Sequence, residues 1–419
     1  MKKQKYIFGN METVKHFNWI KACLKLFIPL LFFGYQFILR RWPGLMMETM
    51  MKQFSVNATE FGMLASMYYY GYAGMQLPIA FLCGRLEMRV VLCFCALLCS
   101  IGLSILTYTH HVYLAMIAQF FIGSGSAAGF LCAAEAISLW FPKERYGQVM
   151  GVSVAFGLLG AIYGGQPVRS LLDLYPWQFV AFGIVGVGCL ISFSALWLPS
   201  SAKHHSVEAS GGFCDIFKNP ILIFLGIANL LMVGVLEGFA DVWAGPFLVQ
   251  NYGLSASHSA GIASWIFKGM MIGSPIVAFL AKYFGNYAVI VACGISMSGA
   301  FLLLLFSSVP LWSLPLLFVI LGIGCCYQIL IFVAARDWCP AHKIGAGLAF
   351  LNTLNMLGGA FFHPIIGFFV DHLNNKISLK LTYTYALSII PLCGIVGMIM
   401  VFCVGWYYRR KIVHNKTCI

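Results

Sequence analysis

Charge is what this sequence has least of. Only 9% of its 419 residues are Asp, Glu, Lys or Arg, with 13 acids against 26 bases, while 61% are hydrophobic and the mean hydropathy is +0.86. A chain so poor in charge cannot cover a water-soluble surface, which excludes a soluble globular fold. It also lacks a G-x-x-x-x-G-K-S/T loop: GSGSAAG at 123–129 lies inside an apolar run and has no lysine, which argues against an ATP-driven pump. There is no H-E-x-x-H and no nucleophile elbow, so nothing in the motifs points to an enzyme. The 15 cysteines have no paired spacing. Cys93, Cys95, Cys99, Cys325 and Cys326 sit in apolar runs and read as small core residues, neither a disulfide framework nor a metal site. No small-residue cleavage site follows a short apolar core near the start, so the first apolar run is expected to stay as an anchor.

What the chain does have is apolar stretches of roughly 20 residues, the length that crosses a bilayer as helix. Twelve are expected, near 22–50, 58–83, 89–109, 112–140, 146–172, 176–198, 220–250, 256–283, 286–307, 310–336, 343–372 and 383–408. Backbone groups facing lipid must be satisfied within the segment and no alternating-strand pattern occurs, so the fold class is an all-α membrane protein. The basic residues set its orientation. Lys2, Lys3, Lys5, Lys15, Lys21 and Lys25, the tail residues Arg409, Arg410, Lys411 and Lys416, and most loop Lys and Arg fall on one face, which predicts both termini in the cytoplasm. The net charge of +13 is thereby explained by topology and gives no argument for nucleic acid.

The longest polar stretch, SSAKHHSVEASGGFCDIFKNP at 200–220, separates six spans from six. The expected organisation is a cytoplasmic segment 1–21, a first half 22–198, a linker 199–219, a second half 220–408 and a cytoplasmic tail 409–419. The halves share a register. Trp140 and Trp338, Pro142 and Pro340, Gly147 and Gly345, Gly160 and Gly358, and the AFL runs at Ala80 and Ala278 are each 198 residues apart. With QLPIAFLCGRLEMR at 76–89 and LWFPKERYGQVMG at 139–151, which resemble the loop signature after the second span and the loop between the fourth and fifth, the whole chain resembles the major facilitator superfamily. That resemblance implies two pseudo-symmetric six-helix halves, a site between them near the midplane, and a monomer.

The first signature departs from the family pattern. Ala80 stands for the leading Gly, Gly84 for the acid and Glu87 for the later Gly, and Lys282 occupies the acidic place in the second half. These departures put in doubt the acid latch that the family uses on the cytoplasmic side. Arg85, Arg89, Glu135, Lys143, Glu144, Arg145 and Lys282 remain as candidate gating residues. More narrowly, YYYGYAGMQLP, FADVWAGPFLVQNYGLS and the run from Tyr327 to Asp371 are similar to a bacterial branch related to the lysosomal dipeptide transporters. That branch includes phagosomal amino-acid and nucleoside transporters of intracellular bacteria.

Within FGYQFILRRWPGLMM, Arg40 and Arg41 stand side by side late in the first apolar run. A charge inside the bilayer costs about 2.5–3.5 kcal/mol and persists when it faces a bundle interior or a cavity. One reading has both arginines snorkelling to headgroups with Glu48 as partner. The other turns one of them inward, since successive helical residues point about 100° apart. Arg40 shares a face with Gln36, and FILRRW resembles the first span of organophosphate and organic-anion transporters, where an arginine at the first of these places binds the substrate anion. A guanidinium suits a carboxylate or phosphate because it can donate two parallel hydrogen bonds.

The repeat offset carries Arg40 into the seventh span beside Glu237, one turn before Asp241; these acids sit at i, i+4 and would face the first span across the cavity. Glu237, Asp241 and His363 are the proton-coupling candidates, with an internal salt bridge and a structural histidine as the plainer readings. Tyr69, Tyr72 and Gln76 in the second span, Asn352 and Asn355 in the eleventh, and Gln328 in the tenth complete the candidate substrate contacts, with ordinary helix packing as the alternative. Lys268 has no evident partner in sequence.

The resulting expectation is a secondary transporter moving an amino acid, short peptide or related zwitterion by alternating access, coupled to protons. It needs no cofactor beyond an ion gradient, and its partners are a small-molecule substrate and the lipid bilayer of a bacterial inner membrane. An organic-anion or phosphate-ester transporter is the first alternative, and a transport-dead ligand sensor on the same fold is the alternative of another class.

Overall fold

The computed structural model describes residues 18–200, 219–340, 343–374 and 376–417; most of the expected N-terminal segment and central linker lies outside them. Every regular element among the described residues is a helix. Eleven units are long and apolar enough to cross a membrane: α1 (Trp19–Leu45), α3 (Met88–Tyr108), α4 (Val112–Trp140), α5 (Lys143–Leu174), α6 (Trp177–Ala195), α7 (Pro220–Tyr252), α8 (Ala256–Phe284), α9 (Asn286–Phe306), α10 (Leu311–Asp337), α11 (Ile344–Asn374) and α12 (Leu379–Arg410). The remaining unit, α2 (Ala58–Arg85), has 28 residues, but three consecutive tyrosines, glycines and Gln76 make its middle less apolar. Six units precede residues 201–218 and six follow.

Helix ends follow local chemistry. The side chain of Asn18 accepts from Lys21 N at 3.0 Å and starts α1, and Asn219 caps α7 with Pro220 at the first helical place, where its missing N–H costs nothing. Gly253 (φ +66°) ends α7 and Gly285 (φ +84°) separates α8 from α9, in a backbone region that a side chain would strain. The first span is shorter than the expected 22–50. It stops at Leu45, and Met47–Phe54 forms a separate short helix. Pro43 and Gly44 account for the break: one removes a backbone donor and the other is the weakest ordinary helix former.

Lipid tails are as apolar as leucine, so helices in a membrane associate through close packing at small residues. Gly160 of α5 lies against Gly34 of α1, where an added Cβ would stand 2.6 Å from the Gly34 carbonyl carbon. The same closeness joins α2 to α11. A Cβ on Gly62 would stand 2.8 Å from the carbonyl carbon of His363, and one on Gly367 2.7 Å from that of Ala58. The α2–α11 contacts lie toward the end of the bundle away from Trp19 and Arg410. Gly74, Gly147, Gly151 and Gly345, and likewise Gly183 and Gly186 of α6, have nothing within 4 Å of an added Cβ.

Gly160→Val is expected to force α1 and α5 apart at a cost of about 1–3 kcal/mol. It should lower the melting temperature of the purified protein, whereas Gly147→Val should leave it nearly unchanged. Equal shifts for the two would contradict this packing.

Candidate functional site

Arg40 is 6% exposed, in the last third of α1, with its guanidinium 4.7 Å from the centre of the Phe37 ring. Its Nη1 lies 3.0 Å from Glu237 Oε2 and donates to Oε1 at 3.3 Å, while its Nε lies 2.9 Å from Asp241 Oδ2. Both acids are buried as well. From α2, the Tyr69 hydroxyl donates to Asp241 Oδ2 at 2.7 Å and stands 3.1 Å from the Glu237 carbonyl oxygen. One base and two acids from α1 and α7, held by a tyrosine of α2, thus form a closed charged cluster inside the bundle. Snorkelling is ruled out for both arginines, since each is buried in protein; Glu48 is exposed and forms no pair with either.

The acids come from a stretch that is not the regular helix expected there. Val233–Val235 is a single 3-10 turn and Leu236–Trp243 is a π-helix. Gly234 and Gly238 bring the chain against Phe362 of α11; added Cβ atoms would stand 2.7 Å and 3.0 Å from its side chain. Two glycines lower the helix propensity of α7 and a large ring presses on it, and the wider turn that results presents Glu237 and Asp241 to the same guanidinium.

Arg41 points elsewhere. Its Nη1 donates to the Ala161 carbonyl of α5 at 2.6 Å and to Ser264 Oγ of α8 at 2.9 Å, and its guanidinium stands 5.2 Å from the centre of the Phe267 ring. It also borders a cavity of about 310 Å³ whose lining includes Glu48, Arg169, Asp241 and Ser255.

The other candidates differ in burial and in partners. Tyr72 and Gln76 are buried on α2. His363 of α11 is fully buried with its ring centre 5.2 Å from that of Tyr69, and neither ring nitrogen has a hydrogen-bond partner among the described residues. Asn355 is buried with Oδ1 unpartnered, whereas Asn352 and Gln328 are half-buried and show no bond to the cluster. Tyr68, which nothing in the sequence singled out, lies beside Tyr72 with the ring centres 6.1 Å apart and donates to Gln36 Oε1 at 3.0 Å. Ser264 was missed too, because a lone serine in an apolar run carries no signal.

The expected gating residues lie at the termini end. Arg85 covers the Phe81 ring, Arg89 pairs with Glu87, and Glu87 accepts from Ser200 Oγ at 2.7 Å. Lys143, Glu144, Arg145 and Lys282 are exposed, with Arg145 donating to Gln148 at 2.9 Å. Glu135 of α4 is half-buried and its Oε2 has no hydrogen-bond partner among the described residues. Lys268 rests its ammonium 3.7 Å from the centre of the Trp265 ring. Among the described residues no group of three His, Cys, Asp or Glu is placed to hold a metal ion.

Removing one partner of a buried ion cluster strands the others. Arg40→Ala should therefore cost about 3–5 kcal/mol, and Tyr69→Phe about 1 kcal/mol. Adding Glu237→Gln to Arg40→Ala should restore part of the loss, because it removes one stranded charge. Thermal unfolding of the purified variants reads all three, and a double variant less stable than Arg40→Ala would refute the pairing.

The family model described as Major Facilitator Superfamily matches residues 30–363 and 244–417. An uncharacterized transporter, YybO, of Bacillus subtilis is 24% identical over 282 residues, covering 59% of this chain and 64% of that protein. A putative tartrate transporter of Agrobacterium vitis is 22% identical over 396 residues, covering 82% of this chain and 83% of its own. Among solved structures, the nucleoside transporter NupG superposes with a TM-score of 0.73 at 13% identity, over 90% of this chain and 98% of its own, which shows the fold alone. With the match extending over nearly the whole of the helical bundle, the chain belongs to the Major Facilitator Superfamily of membrane transporters.

Proposed function

We propose that the protein is a secondary transporter of small zwitterions, amino acids or short peptides, working by alternating access. The observation that carries this reading is the buried Arg40–Glu237–Asp241 cluster, which offers charges of both signs at one place between the two sets of six helices. A zwitterion can enter it without changing its charge balance. Its carboxylate takes the fork of Arg40 and its ammonium takes Glu237 or Asp241, so the charge sum of the site does not change. The cluster holds one acid more than base, and that surplus carboxylate is the group a proton would neutralise; proton coupling in this proposal rests there, with His363 beside Tyr69 as a second carrier. The likeness of YYYGYAGMQLP and the Tyr327–Asp371 run to amino-acid and dipeptide carriers supports the same solute class. The basic face of the loops supports a bacterial inner membrane with both termini inside.

A second reading, an organic anion, is favoured by the name of the tartrate relative. An anion taking Arg40 would leave both acids without their base, so it would have to enter with protons.

A ligand that binds the folded state raises its melting temperature by mass action. Purified protein screened with amino acids, dipeptides, carboxylates and phosphate esters should be stabilised by zwitterions, and the shift should vanish in Arg40→Lys, which keeps the charge but loses the fork. Stabilisation by carboxylates and phosphate esters alone would select the second reading. Uptake into vesicles should rise with an inward proton gradient; indifference to both gradient and membrane potential would replace symport by exchange or uniport.

A further inference from the structure

The first turn of α2 is capped in two parts, and only one of them belongs to its own helix. A helix start leaves its first backbone N–H groups without partners. Asn57 and Glu60 form a reciprocal capping box: Asn57 Oδ1 accepts from Glu60 N at 2.8 Å and Glu60 Oε2 accepts from Asn57 N at 3.0 Å. The two N–H groups between them receive their acceptor from the other set of six helices. Asp371 near the end of α11 accepts from Ala58 N at 3.0 Å, from Thr59 N at 2.7 Å and from Thr59 Oγ1 at 2.5 Å. Its carboxylate thus sits at the positive end of the α2 dipole, with three charge-assisted hydrogen bonds.

These bonds stand at the end of the bundle where the two sets of helices meet. From Asp371 inward, Gly367 packs on Ala58, Gly62 packs on the His363 backbone, and Ser66 Oγ donates to the Ala360 carbonyl at 3.2 Å. The α5–α8 pair closes at the same end through Ser170 and Ser257, whose hydroxyls are 2.8 Å apart.

We propose that Asp371 is the latch of the closed end: it completes the cap of α2 only while α2 and α11 are together, and so sets the balance between the two access states. The inference rests on the alternating-access reading above. When the helices part, the carboxylate and two backbone donors must exchange one another for water, and the state open at the termini end loses its advantage. Asp371 is a positioning residue in this account and touches no substrate.

Hydrogen–deuterium exchange of the full-length protein tests it, because a shift between access states moves the two ends in opposite directions and mere destabilisation does not. In Asp371→Ala, amides of 58–66 and 360–371 should exchange about tenfold faster, while those of 143–152 and 344–352 become slower. Asp371→Asn and Thr59→Ala should show the same pattern more weakly, and they guard against misfolding of the alanine variant. Gly62→Leu serves as reference, since its side chain must separate α2 from α11. A reciprocal pattern in Gly62→Leu with none in the Asp371 and Thr59 variants overturns the latch and leaves alternating access standing. Faster exchange at both ends in every variant overturns both.

Discussion

A guanidinium buried between two carboxylates is the constraint on which the rest of the structure turns. Arg40 cannot stay ionised inside the bundle without partners, and its partners Glu237 and Asp241 belong to a helix of the other six. The need to keep these charges together therefore draws α1 and α7 against each other at the centre. The π turn of α7 delivers both acids to one side of Arg40. The cluster also gives Tyr69 its place, with the hydroxyl on Asp241 and the ring beside His363. Arg41 continues the same job outward by tying the α5 backbone to Ser264 of α8.

Much of this was legible in the sequence, for a physical reason. In a membrane, apolar length and charge are both expensive to misplace, so apolar runs marked the helices, and the few charges inside them marked the site. Arg40, Glu237 and Asp241 were found because nothing but mutual pairing or function keeps such residues in a span. The repeat offset placed them opposite each other before any geometry was known. What stayed hidden depended on contacts between distant segments. The π turn follows from Phe362 pressing on Gly234 and Gly238, and no window of α7 shows that ring. The divergence of Arg40 and Arg41 followed from helical geometry, but the choice of Ala161 and Ser264 as Arg41's partners did not. Asp371 passed as one more polar residue at a helix end, since its role lies in the unfilled cap of a helix more than 300 residues earlier.

The bundle also accounts for how one set of bonds can serve two purposes. In the absence of solute Arg40 is already paired with both acids, while its Nη2 and Asp241 Oδ1 have no hydrogen-bond partner among the described residues. A solute that supplies its own carboxylate and ammonium can replace the internal pairs with pairs to itself, and the bridge between α1 and α7 is then no longer made by protein alone. In the proposed mechanism that exchange links occupancy to motion, because the side chains that would recognise the solute also bridge α1 and α7.

The most direct test of this account is counterflow of a radiolabelled amino acid, one that stabilises the protein, across proteoliposomes containing wild type or the Glu237→Gln, Asp241→Asn double variant. The account predicts rapid counterflow by wild type and none by the double variant, whose Arg40 has lost both of its anionic partners and whose site no longer offers an anion to the ammonium. Counterflow by the double variant at the wild-type rate would show that the cluster is a structural brace and that the solute binds elsewhere.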